Sequence, residues 1–201
     1  MIKIYNFPRG ARGLRVAWQC EEMGLSYEIE KLTFPTGPEY RKLNPLGSVP
    51  FLVDGDAKIN ESVAIMLYLA QRHGPTPLLP DAKDPAFARV VQMTVFSEAT
   101  LGAGLNVLMA ARFAAPEGDK ENWSVRMQRE RNEHALAYVE QLLGDRPYLT
   151  GDSLTIADIA IVTALNMRQG ALGQMPSEKL GAYRDRLVAR PAYERARDRA
   201  A

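Results

Sequence analysis

The first residues alternate, with Ile2 and Ile4 on one side and Lys3 and Tyr5 on the other, the period of a half-buried strand running to Asn6 and Phe7. Pro8 to Gly13 reads as a turn, after which Leu14, Ala17, Trp18 and Met23 recur at helical spacing. A second alternating run covers Tyr27 to Leu32, and the short polar Pro38 to Leu43 suits a brief helix before Asn44-Pro45. Pro50 to Asp54 and Ala57 to Ile59 flank Gly55-Asp56, a strong hairpin signal. Glu61 to His73 reads as a helix stopped by Gly74-Pro75. The order β-α-β-α-β-β-α predicts a parallel strand pair joined by a crossover helix, followed by an antiparallel hairpin.

That arrangement resembles a thioredoxin-like α/β domain, expected over residues 1–75. Pro75, Pro77, Pro80 and Pro85 then mark an extended linker, 76–85. Beyond it the period is helical throughout, near Pro85 to Phe113, Asn122 to Leu143, Ile156 to Gln169, Ser177 to Leu187 and Pro191 to Ala200, predicting an all-α C-terminal domain over 86–201. Charged, Gly and Pro positions interrupt every apolar segment, so no run is expected to approach the roughly 20 residues that span a bilayer.

Lys and Arg number 25 against 24 Asp and Glu, a balance without the bias that nucleic-acid or acidic-membrane binding leaves. The Arg-rich stretch Arg184 to Arg199 is interleaved with Asp and Glu and reads as a solvated helix face. Cys20 is the only cysteine, which excludes an internal disulfide and a dithiol redox pair. It lies well inside the first helix, where a buried, inert thiol is expected. With no secretory leader in view, a reducing, cytoplasmic setting is expected. His73 and His134 lack metal-ligand partners at useful spacing and read as surface residues. Gly102 and Gly104 lie in a helical run and so make no dinucleotide fingerprint.

The most informative stretch is Asn44-Pro45-Leu46-Gly47-Ser48-Val49-Pro50, followed by Glu61-Ser62. A proline opening a strand need not serve the ladder. With a cis bond before it, the Val49 N–H and C=O could pair with an extended peptide as an added strand. Glu61 and Ser62 open a helix, whose N–H groups and dipole favour an anion. A carboxylate for an ammonium, beside a hydroxyl and N–H groups for a carboxylate, makes a receptor for an amino-acid head group. Simple helix capping by the same two residues is the plainer alternative.

The Asn-Pro-x-Gly-x-Val-Pro run with the later Glu-Ser-x-Ala-Ile run resembles the glutathione site of the cytosolic glutathione S-transferases. Thr155 and Asp158 have capping-box spacing and Leu154 and Ile159 that of a hydrophobic staple, resembling the family's folding element in its helical domain. The resemblance implies a thioredoxin-like domain plus a helical domain, glutathione as co-substrate held by Ser48, Val49, Pro50, Glu61 and Ser62, a homodimer, and thiolate attack on a small hydrophobic electrophile in a detoxifying reaction. Leu105, Met109 and Phe34 are wall candidates for the electrophile.

Family members activate the thiol with a Tyr, Ser or Cys near the end of the first strand or the start of the first helix, and here Gly10 and Ala11 stand at the Ser or Cys position. Tyr5 and Arg12 are the catalytic candidates, with Asn6 and the helix-start N–H groups in reserve. The departure keeps two other readings open: a non-catalytic glutathione or ligand binder, and a glutathione-dependent peroxidase or disulfide reductase.

Overall fold

The structure, a computed structural model, describes residues 1–174 and 177–201. Strands β1 (Ile2–Asn6), β2 (Tyr27–Lys31), β3 (Phe51–Asp54) and β4 (Ala57–Ile59) form one sheet in the order β2-β1-β3-β4. β1 and β2 are parallel, while β1–β3 and β3–β4 are antiparallel with Tyr5 opposite Phe51 and Leu52 opposite Ile59. Helix α1 (Ala11–Glu22) crosses between β1 and β2, α2 (Pro38–Leu43) precedes β3, and α3 (Ser62–Arg72) follows the hairpin. Ile2, Ile4 and Leu52 are buried from the sheet, as are Val16 and Trp18 from α1 and Ile65 and Leu69 from α3. This is the thioredoxin-like order expected from the alternation.

The turn before α1 is tighter than expected. Gly10 N–H donates to the Phe7 carbonyl at 2.9 Å and Leu14 N–H to the Gly10 carbonyl at 3.0 Å, so the helix is under way at Ala11 rather than after Gly13.

A second compact unit, Pro80–Arg186, is helical. It contains α4 (Phe87–Phe96), a π-helical turn (Ser97–Gly102), α5 (Ala103–Phe113), α6 (Trp123–Leu143), α7 (Ile156–Leu172) and most of α8 (Glu178–Val188). Phe87–Phe113 runs on for 27 residues, and an 18-residue window within it has a mean hydropathy of 1.2, long and apolar enough by length and composition alone to cross a membrane. Arg89, Glu98, Gly102, Gly104 and Arg112 interrupt it, as expected, and a core helix passes the same test of length and composition. In this fold Val90, Met93, Leu101 and Leu105 of the stretch are buried, and both α4 and α5 lie against α7. Every residue of α7 from Ile156 to Leu165 is buried. The reciprocal capping box of Thr155 and Asp158 is formed at its start.

The first unit comprises Met1–Leu79 together with Leu187–Ala201, so the last helix, α9 (Pro191–Ala200), belongs with the sheet although it follows the helical segment in sequence. Its seat is α1. Trp18 meets Tyr193 edge-on at 4.9 Å, and Arg190 holds Glu22 at 2.6 and 2.8 Å. Arg195 and Arg199 reach Glu21 at 2.7 and 3.2 Å. The arginines expected to line a solvated face are therefore in part ties between the chain's end and its first helix.

Burial works to raise the Glu21 carboxyl, but hydrogen bonds from Arg195, Tyr27 and Arg199 outweigh it and hold the group below its ordinary value. A depressed folded-state value means that this contribution to stability is complete above the unfolded value, about 4.3, and is lost as pH falls through the folded one. Glu21→Gln is expected to lower Tm at pH 7 and to flatten its fall below about pH 4 relative to wild type. Parallel acid limbs in thermal melts of the two proteins would contradict this.

Candidate functional site

Helix α2 builds one wall of the candidate site. Asn44 is fully buried and donates to the Ser48 carbonyl at 2.8 Å, which also accepts from the Tyr40 hydroxyl at 2.6 Å. The chain reverses at Gly47, whose φ of 63° favours glycine. So anchored, Ser48 is exposed, and the Val49–Pro50 peptide is cis. Val49 precedes the ladder, and neither its N–H nor its C=O has a backbone partner among the described residues.

The β3–β4 hairpin returns the chain to the same place, with the Ser48 hydroxyl 3.5 Å from Oδ1 of Asn60. Next comes Glu61, exposed and held at φ 66°, ψ 107°, a conformation that L side chains seldom adopt. Its carbonyl accepts the first bond of α3, from Ile65 N–H at 2.9 Å, which leaves the N–H groups of Ser62, Val63 and Ala64 at the helix start available to an anion. Capping does not account for the pair, since Glu61 makes no side-chain cap bond. The Ser62 side chain instead accepts from Arg15 Nη1 at 3.2 Å, so its own proton is left to donate outward.

Arg15 is the residue that sequence reasoning missed. It is fully buried on α1, beneath the start of α3, together with Gln19, whose amide donates to the Met66 carbonyl at 2.9 Å. The available signal was a cation and an amide four residues apart, both on the stripe that also carries Trp18. Periodicity marks that stripe as core, and a cation there indicates an electrostatic task.

The two catalytic candidates lie in the same unit on different elements. Tyr5 is half-buried on the face of β1 that meets α2, its ring 5.6 Å from Tyr40 and 6.0 Å from Phe51, with Lys3 Nζ 5.2 Å from its centroid. Asn6 points the other way, toward α1, is buried, and donates to the Gly10 carbonyl at 3.0 Å. Arg12 stands half-buried on the first turn of α1, whose cap, Gly10, has no side chain to offer. Leu14 makes the first helical bond, so the N–H groups of Ala11, Arg12 and Gly13 remain for an anion at that end.

Other candidates have plainer positions. Cys20 is buried, and burial pushes its thiol up to about 12, consistent with an inert side chain. His134 is exposed as expected, but His73 is half-buried and sits 2.6 Å from Asp54, which binds it to the β3–β4 hairpin. No cluster among the described residues has the make-up of a metal site. Leu105 is buried within the helical unit, Met109 is half-buried there, and Phe34, in the first unit, is 84% exposed with its ring edge-on to Phe7 at 5.7 Å.

Glutathione S-transferase 3 of Zea mays is 30% identical to this chain over 96% of the chain and 92% of its own length. The chain belongs to the glutathione S-transferase family. The family's N-terminal domain pattern matches residues 1–71 and its C-terminal domain pattern residues 98–191, so both domains of the glutathione S-transferase fold are present. Glutathione S-transferase 1 of Schizosaccharomyces pombe is 27% identical, with 94% of this chain and 92% of that protein covered. A glutathione transferase of Phanerochaete chrysosporium, solved with oxidized glutathione, superposes with a TM-score of 0.86 at 26% identity, covering 99% of this chain and 94% of its own.

Proposed function

We propose that this glutathione S-transferase-family chain binds glutathione at the Val49/Glu61/Ser62 site and joins it, through its sulfur, to a small hydrophobic electrophile. The observation that carries the reading is that Ser48, next to the cis Val49–Pro50 peptide, lies 3.5 Å from Asn60, just before Glu61 and Ser62 at the start of α3, with the buried Arg15 bonded to Ser62. The Val49 N–H and C=O would take the peptide as an added strand. Glu61 would take its ammonium, while Ser62 and the N–H groups at the start of α3 hold its carboxylate. Ser48 closes the near side.

For the reacting sulfur, the N–H groups opening α1 and the Arg12 guanidinium favour the thiolate over the thiol. Tyr5 is the alternative donor, from the α2 side. The thiol proton passes to solvent, and sulfur forms its bond to the electrophilic carbon as the leaving group departs with the bonding pair. We place this reaction in the cytoplasm, in a homodimer, with a detoxifying role. One observation favours a second reading, a non-catalytic binder: α1 begins at a glycine cap followed by Ala11, with no hydroxyl or thiol at either position.

Calorimetric titration with glutathione tests the site. Wild type is expected to bind, and Glu61→Ala and Ser62→Ala each to weaken binding about tenfold or more, as for loss of a hydrogen bond to a charged group. Absence of binding by wild type would end the proposal. Binding without conjugation of an aryl halide faster than free glutathione at the same pH would establish the binder. If conjugation occurs, Arg12→Ala is expected to raise the bound thiol's pKa and Tyr5→Phe to leave it unchanged; the reverse result would transfer the role to Tyr5.

A further inference from the structure

The turn that leads into α1 carries a residue that such a turn disfavours. Phe7-Pro8-Arg9-Gly10 is closed by the Gly10 N–H on the Phe7 carbonyl at 2.9 Å, with Pro8 second and Arg9 third. Arg9 has φ at 58°, in the left-handed region. A proline followed by a left-handed residue is the turn that ordinarily takes glycine or asparagine at its third position, because a Cβ there crowds the following carbonyl. The Arg9 side chain is exposed, so packing does not impose the conformation. The commoner turn, open to most residues, differs by a flip of the Pro8–Arg9 peptide.

What opposes that flip is the last turn of α9. The Arg9 N–H donates to the Ala200 carbonyl at 2.9 Å, and a flipped peptide would turn that N–H away. One backbone hydrogen bond is worth about as much as the left-handed conformation costs, so the two states of the turn are close in energy and the bond decides between them. The last turn of α9 is in turn held by α1 and β2. Ala196 and Ala200 are buried, and Arg195 and Arg199 pair with Glu21 of α1. Arg199 also donates to the Tyr27 carbonyl of β2 at 2.8 Å, with its guanidinium 4.1 Å from the Tyr27 ring centroid.

We infer that Arg9 is a positioning residue, held left-handed by the last turn of α9, and that this latch keeps the start of α1 in the geometry that stabilises a bound thiolate. The inference rests on the reading that the N–H groups opening α1 and Arg12 stabilise the glutathione sulfur. Gly10, whose N–H closes the turn, is also the cap of α1, so a flip at Arg9 re-aims the N–H groups of Ala11, Arg12 and Gly13 together. α9 thus acts on the sulfur without touching it. Loosening its last turn changes the pKa of the bound thiol and leaves the affinity for the peptide, which Val49, Glu61 and Ser62 would hold.

The test loosens that turn and asks whether glycine at position 9 removes the effect. Arg195→Gln with Arg199→Gln leaves the Trp18–Tyr193 contact and the Arg190–Glu22 pair in place, so α9 stays docked while its last turn frays. In this variant the Arg9 and Gly10 amides are expected to exchange with solvent about tenfold faster than in wild type, followed by NMR on the full chain. In its glutathione complex, titration of the thiolate absorbance is expected to place the thiol pKa about half a unit or more above the wild-type value, with affinity for glutathione within about twofold. Arg9→Gly takes the left-handed conformation without help from α9. In that background the same two substitutions are expected to leave the thiol pKa where Arg9→Gly alone sets it, and the charge lost from α9 is the same in both comparisons.

The inference is overturned if Arg9 and Gly10 exchange at the wild-type rate in the double variant, if its bound thiol pKa is unchanged, or if the pKa rises equally with glycine at position 9. A wild-type complex whose thiol titrates as free glutathione does would end the thiolate reading itself, and the inference with it. That result is read from wild type alone, so the two failures are distinct. If the double substitution unfolds α9 altogether, Arg199→Gln alone is held to the same criteria.

Discussion

Asp158→Ala is expected to lower stability by about 4 kcal/mol or more, a large share of the 5–15 kcal/mol that holds a typical domain together. The carboxylate is fully buried and accepts four hydrogen bonds: from Leu149 N–H, Thr155 N–H and the Thr155 hydroxyl at 2.8 Å, and from the Tyr183 hydroxyl at 2.7 Å. Burial raises its pKa and these donors counter the rise. Alanine would leave all four donors buried without an acceptor, at about 1–3 kcal/mol for each that finds no water. The group therefore does more than cap α7, because it ties the 149–155 loop and α8 to that helix start. Urea unfolding measures the loss, and Tyr183→Phe, which removes one donor, should cost about 1 kcal/mol. An Asp158→Ala midpoint close to that of wild type would show that the network is not a principal support of the helical unit.

Gly13→Ala is expected to destabilise the first unit by about 3 kcal/mol, although alanine is the better helix former by about 1 kcal/mol. A Cβ at Gly13 would stand 2.1 Å from Asn6 Cγ and 2.2 Å from its Nδ2. Asn6 is short, buried and bonded to the Gly10 carbonyl, so it has nowhere to retreat. Gly10 is tight for the same reason, with 2.6 Å from a Cβ to Asn6 Oδ1. This packing gives a physical account of the turn: with Asn6 beneath it, a side chain at Gly10, serine included, does not fit. The double variant Asn6→Ala with Gly13→Ala should recover part of the loss, giving a coupling of about 1–3 kcal/mol in a double-mutant cycle. Strict additivity of the two substitutions would refute the clash.

Much of the first unit was legible in the chain because its signals are local. The alternation from Ile2, the Gly55-Asp56 hairpin and the stop at Gly74-Pro75 each depend on residues a few places apart, and β1, β3, β4 and α3 formed where these indicate. The second unit was legible for the same reason, since Thr155 and Asp158 meet within one helical turn. The run from Asn44 to Pro50 and the Glu61-Ser62 pair were legible as motifs. That they meet depends on the hairpin between them, which the sequence also marks.

What the sequence left open depends on contacts between distant residues. Periodicity assigns Arg15 to a buried stripe, but only the seating of α1 beside α3 sets its guanidinium against Ser62, 47 residues away. Pattern places Pro191–Ala200 at the end of a helical series; only packing on Trp18, Glu21 and Glu22 of α1 returns it to the first unit. Phe7-Pro8-Arg9-Gly10 reads as a turn by itself, but only the docking of α9 brings the Ala200 carbonyl to the Arg9 N–H. By itself, then, the sequence determined the elements, their order and the glutathione motifs, because strand and helix periods and turn chemistry act over a few residues. Tertiary structure alone decided which buried charge meets which hydroxyl, where the last helix docks and what holds the turn before α1, because those outcomes depend on how whole elements fit together.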